Sequence, residues 1–173
     1  MRAWCLVPAA SVLALAAASA SVPVAAPRSR LAPVAVVIYA APVAGRVLRP
    51  FDPPTTPYGA GHRGVDLAAA AGTPVRAAAD GTVTFAGPVA GRGVLVVEHT
   101  DGITTEYEPV RPRVARGARV RRGEVIAAVA GRHPGCADGC LHWGARRGAG
   151  YLDPLTLLRP LGPVVLLPWR RDG

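Results

Sequence analysis

The chain has 173 residues, enough for one domain with a real core but not for two. Half of its residues are hydrophobic but only 5% are aromatic, and 20 glycines with 18 prolines argue for frequent turns and against long helices. Every one of its 20 cationic side chains is arginine, giving a net charge of +9, so chemistry that needs a lysine amine is excluded, including Schiff bases and lipoyl or biotinyl attachment.

The N-terminus has the pattern of an export signal. Arg2 is followed by an apolar run from Ala3 to Ala18, and Ala18-Ser19-Ala20 offers a small-x-small cleavage site. Residues 1–20 are therefore expected to leave as a signal peptide. An uncleaved anchor is the alternative, but an Ala-rich segment broken by Pro8 is only weakly hydrophobic. Cleavage removes Arg2 alone, so the net charge becomes +8 (9 − 1) and no stable membrane span remains. The expected product is secreted. Residues 21–33 read as a flexible leader, 34–160 as a single β domain and 161–173 as a C-terminal tail.

From Val34 onward, short apolar runs alternate with Gly, Pro or Asp-Gly. Strands are expected near Val34–Tyr39, Gly64–Leu67, Pro74–Ala77, Thr82–Ala86, Val94–Glu98, Ile103–Tyr107, Glu124–Val129 and Leu141–Ala145. VLVVEHTDGITTEY is the strongest hairpin, turning at Asp101-Gly102. One helical turn is expected at Asp153–Leu158, with Asp153 as cap and Pro154 in the first position. The fold class is all-β with an antiparallel core.

Arginines concentrate between Arg111 and Arg122, in RPRVARGARVRR. In an exported protein this run is expected to meet anionic cell-wall polymers or lipid headgroups rather than nucleic acid; a solvated loop without a partner has equal weight. Cys136 and Cys140, in CADGC, are expected to form one disulfide outside the cytoplasm, with a metal-ligand pair as the rival reading.

Three segments hold the candidate chemistry: GHRGVDL (61–67), TTEYEPV (104–110) and CLHWG (140–144). His62 and Asp66 would stand about 13 Å apart on a straight strand, too far to share one ion. A chain bent at Gly64 brings them together. His142 adds a second imidazole, and two nitrogens with one carboxylate form the ligand set of a catalytic zinc site. A buried core histidine at 142 and a simple His62–Asp66 hydrogen bond remain the bland alternatives. His99 reads as a hairpin-end residue, and His133 stays a possible contributor.

These segments, together with the framework GTPV, DGTV, GRGV and RRGEVI, resemble the lysostaphin/LytM-type zinc endopeptidases from about Gly61 to Leu158. The resemblance implies a barrel-sandwich hybrid core and Zn2+ held by His62, Asp66 and His142, in a peptidase acting on cell-wall peptidoglycan. The family pattern has two further histidines, for which this sequence has Pro109 and Cys140. A non-catalytic wall-binding or regulatory module is the alternative those two positions suggest. Glu106 and Glu108 lie near, but strand alternation turns them away from the face used by Tyr107.

Overall fold

The computed structural model describes residues 36–56, 59–131 and 139–158. The segments expected to be signal peptide, leader and tail, together with His133 and Cys136, all fall outside them.

Eleven strands follow one another: β1 (Val47–Arg49), β2 (Gly64–Ala68), β3 (Pro74–Arg76), β4 (Gly81–Val89), β5 (Arg92–His99), β6 (Ile103–Glu108), β7 (Val110–Pro112), β8 (Arg119–Val120), β9 (Val125–Val129), β10 (Cys140–Arg147) and β11 (Gly150–Leu152). A 3-10 turn, Pro154–Leu158, closes the described chain, and Asp153 caps it through a bond from the Leu155 N–H to Oδ1. Among the described residues no helix is long and apolar enough to cross a membrane.

The larger sheet runs β1-β2-β10-β6-β5-β4-β8, with β11 paired to β10, and the smaller runs β3-β9-β7. Every ladder is antiparallel, and neither sheet closes into a barrel. The all-β expectation holds. Inward positions of β10 and β6 build the centre, where Leu141, Trp143 and Tyr107 are fully buried beside Leu95 and Ile126. At Gly93, a Cβ would strike the Val110 carbonyl, so a side-chain-free position lets β5 lie against β7 and holds the two sheets together.

The β5–β6 hairpin turns at Asp101-Gly102 as expected, with Gly102 at φ 78° and the Asp101 carboxylate accepting from the Ile103 N–H. The β4–β5 hairpin is longer than its sequence suggests. It turns at Ala90 (φ 47°) and Gly91 (φ 80°), and alanine is a rare choice for positive φ.

One strand expectation fails. Residues 36–39 of the apolar run Val34–Tyr39 are irregular, with Val36 61% and Ile38 62% exposed. An apolar run becomes a strand only where an edge is available, and this one is fixed by other means. Ala40 N–H donates to the Ala78 carbonyl, and the Tyr39 hydroxyl donates to the Asp101 carboxylate. The short strands β1, β7, β8 and β11 were not expected: each has only two or three residues, too few for alternation to show, although β7 and β8 bury Val110 and Val120.

A one-way chain of hydrogen bonds crosses the core. The Asp80 carbonyl can only accept, so His99 Nδ1 donates to it at 2.8 Å. Nε2 then accepts from Thr105 Oγ1, which accepts from the Tyr107 hydroxyl, which accepts from the Ala78 N–H. Burial pushes the Tyr107 phenol up to about 12 and lowers His99 below its ordinary value. His99 is therefore neutral, and the structural role expected for it is the one it fills.

A histidine whose folded pKa lies below its unfolded value contributes full stability above that unfolded value, about 6.5. The contribution is lost as pH falls. Metal-free protein should therefore melt lower at pH 5 than at pH 8, and His99→Gln should narrow the difference, as read by calorimetry at both pH values.

Candidate metal centre

Three neighbouring strands assemble the site. In the β2–β10 ladder Asp66 stands directly opposite His142, and in the β6–β10 ladder Glu108 stands opposite His142 from the other side. Cross-strand partners share a sheet face, so Asp66, His142 and Glu108 emerge together. His62 arrives from outside the ladders. It forms an isolated bridge with Asp52, after which the chain bends and β2 begins at Gly64. Gly61, at φ 154°, sits so near the Asp52 carbonyl that a Cβ would approach it to 2.6 Å. The bend foreseen between His62 and Asp66 is thus spread over Gly61–Gly64.

All three side chains are buried. His62 Nε2 lies 3.0 Å from Asp66 Oδ1 and 3.0 Å from His142 Nδ1, and His142 Nδ1 lies 2.9 Å from Asp66 Oδ1. The structure thus places the three sequence-derived ligands in one cluster.

The protonation of His62 follows from its other nitrogen. Nδ1 is 2.7 Å from the Pro50 carbonyl, which only accepts, so the neutral ring carries its proton there and turns the Nε2 lone pair inward. That lone pair faces a carboxylate oxygen at 3.0 Å. The contact is repulsive unless positive charge lies between the two atoms. A single proton serves one or two edges of the triangle, whereas a shared cation serves all three. Tetrahedral zinc with bonds of about 2.0–2.1 Å sets its ligand atoms roughly 3.3 Å apart. The edges seen here are a few tenths of an ångström shorter, so the donor set and its spacing fit such an ion.

A cleft of about 350 Å3 opens over the triad. Gly144 lines it without a side chain, and a Cβ there would touch Glu106 Cβ at 3.5 Å, the Arg63 carbonyl at 3.6 Å and His142 Nε2 at 3.7 Å. Glu106 and Glu108 do lie on the face opposite Tyr107, as alternation requires, and that face is the cleft. The sequence suggests the face of Tyr107 and Pro109 as the site, with the two glutamates turned away from it; Tyr107 instead packs in the core, and the glutamates' face is the one beside His142. Arg92 Nε donates to Glu108 Oε2 at 2.7 Å, and burial, reinforced by the charge of Glu108, raises the Glu106 carboxyl above its ordinary range. Pro109 is buried where β6 passes into β7, and Cys140 is buried at the start of β10.

An open antiparallel β fold bearing an imidazole–carboxylate–imidazole cluster beneath a polar cleft defines a metallopeptidase-like class. The chain belongs to peptidase family M23, whose model matches residues 60–154. It is 48% identical over 132 residues to an uncharacterized protein of Mycobacterium tuberculosis (strain ATCC 25618 / H37Rv), covering 73% of this chain and 53% of that one. It is 38% identical over 102 residues to the DD-carboxypeptidase/endopeptidase Mpg of Neisseria gonorrhoeae (strain ATCC 700825 / FA 1090), covering 57% and 23% of the two chains. The chain therefore spans about half the length of the mycobacterial relative, and less of the neisserial one. Among solved structures, a putative peptidase M23 from Pseudomonas aeruginosa matches with a TM-score of 0.59 at 27% identity, over 70% of this chain and 50% of that one. A zinc-containing peptidase from Vibrio cholerae matches with a TM-score of 0.57 at 27% identity, over 72% and 40%.

Gly64 controls how closely β2 approaches β10. A Cβ there would run into the Trp143 carbonyl and stand 2.8 Å from both Gly144 Cα and His142 Nε2. Gly64→Ala should cost about 1–3 kcal/mol of stability by overpacking. Gly150→Ala, where the nearest atom would be 3.6 Å away, should stay within about 1 kcal/mol. Denaturant unfolding of the two variants checks the contrast.

Proposed function

We propose that this chain is an extracytoplasmic zinc peptidase acting on the peptides of bacterial cell-wall peptidoglycan, with His62, Asp66 and His142 as the metal ligands. The observation that carries the proposal is the triangle of ligand atoms, 2.9–3.0 Å on each side, with the His62 proton turned out to Pro50. Family membership supports it, as do the neisserial relative's name and the zinc-containing structure from Vibrio cholerae. The export pattern of residues 1–20 supplies the extracytoplasmic setting.

A zinc ion held there supplies Lewis acidity toward a peptide carbonyl. The protein's own part is to fix and shield the ligands. Pro50 orients His62, strand pairing holds Asp66 opposite His142, and Arg92 steadies Glu108 beside them. Gly61 and Gly144 line the cleft beside His62 and His142 without side chains of their own. A disulfide between Cys136 and Cys140 belongs to the same proposal, as a tether on the loop that leads into β10.

A second reading is favoured by Pro109 and Cys140, which stand where the family pattern has histidines. General acid–base groups are typically worth about 10²–10⁴ in rate. Without them the chain would serve as a wall-binding or regulatory module that keeps the fold and the metal.

Elemental analysis after equilibration with zinc should find one ion per chain. Asp66→Asn should weaken zinc binding by more than about 100-fold, beyond the loss typical of a group behind a ligand. The zinc-loaded protein should release new amino groups from purified walls, and His62→Ala should abolish the release. Zinc bound without release from a broad panel of walls would instead establish the binding module, and absence of zinc would refute both.

A further inference from the structure

The cleft carries more positive charge than its own acids use. Arg49, Arg63, Arg92 and Arg146 line it, against only Glu106 and Glu108. Arg92 is taken up by an ion pair with Glu108, and Arg63 donates to the Gly59 carbonyl and lies 5.3 Å over the Tyr151 ring. Glu106 lies near enough to Arg146 and Arg92 to feel both charges, while burial raises its carboxyl above the ordinary range.

Arg49 and Arg146 stand apart. Both are exposed, and among the described residues neither forms an ion pair. Arg49 ends β1 directly opposite Asp66 in the β1–β2 ladder. Arg146 lies on β10 four residues beyond His142, on the same face and about 13 Å along the strand. Its Nε donates to Thr104 Oγ1 at 3.2 Å, which fixes the guanidinium and leaves its terminal amines as a preoriented edge. An anchored fork loses less freedom on binding than a mobile one. That both residues are arginine carries no information in a chain without lysine; their positions do. Between them Gly144 lines the cleft without a side chain.

We propose that Arg49 and Arg146 make the cleft selective for peptides that carry free carboxylates, against the same peptides with those groups amidated. The inference rests on the reading of the cleft as a peptide site and names what that site prefers. A guanidinium pairs two hydrogen bonds with a carboxylate in one plane, and an amide offers only one acceptor and no charge. The contacts are exposed to solvent, so the preference is modest and weakens as salt is added.

The test is binding, which needs no turnover. Stem peptides released from peptidoglycan are titrated calorimetrically into the protein in free-acid form and after conversion of their carboxyls to amides. Zinc-loaded and chelated protein are compared, because zinc itself attracts carboxylates. The free-acid form should bind about tenfold more tightly in both states. Arg49→Gln and Arg146→Gln should each reduce the preference and together abolish it, with the circular dichroism spectrum and zinc content unchanged. Equal binding of the two forms, no binding of either, a preference confined to the zinc-loaded state, or a preference surviving in the double variant would each overturn the proposal. Loss of this preference leaves the peptidase reading standing, and absence of wall digestion leaves the preference measurable.

Discussion

Everything at the site depends on how closely β2 and β10 approach. Gly64 and Gly144 face each other in that ladder, and a methyl group at Gly64 would meet backbone from β10 and the His142 ring together. With the strands at that spacing, Asp66 and His142 come into register without either side chain adjusting far. His62 is then delivered by a bend whose glycine tolerates a φ closed to other residues. Three side chains separated by up to 80 positions become neighbours through two ladders and one turn. The small residues are as much part of the site as the ligands.

The three clustered candidate residues and most of the strand framework were legible because each leaves a local mark. Asp101-Gly102 announces its hairpin, Pro154 after Asp153 announces its helical turn, and histidine near aspartate announces a possible ligand pair. What could not be read is what two segments do to each other. Val34–Tyr39 has the composition of a strand, yet the described part of it pairs with no edge. β1 has no apolar alternation at all, yet it covers the edge of β2 and brings Arg49 to the cleft. The carboxylates of β6 were visible, but the site was expected on the Tyr107 face, away from them. Their significance appears only once Glu108 is seen opposite His142, and register is a property of the assembled sheet.

Charge is distributed over the molecule in two unequal ways. The arginines between Arg111 and Arg122 are exposed along β7, β8 and the intervening loop, and β8 is the sheet edge farthest from β1. The cleft arginines come from β1, the approach to β2, β5 and β10, and three of them, Arg63, Arg92 and Arg146, are held to neighbours at defined atoms. Loosely held charge of the first kind suits long-range attraction to anionic surfaces, while charge with fixed orientation suits the reading of individual groups.

β6 serves two solvents at once. Its odd positions, Ile103, Thr105 and Tyr107, are packed in the core, while Glu106 and Glu108 face the cleft. Sliding this strand by a single residue would drive two carboxylates in beside Trp143 and thrust a phenol out over the triad. The misaligned sheet would lose both its dry interior and the unbroken relay through His99. Correct alignment is thus enforced by the same alternation that furnishes the site, and a chain that folds at all has already put its acids on the side where they are useful.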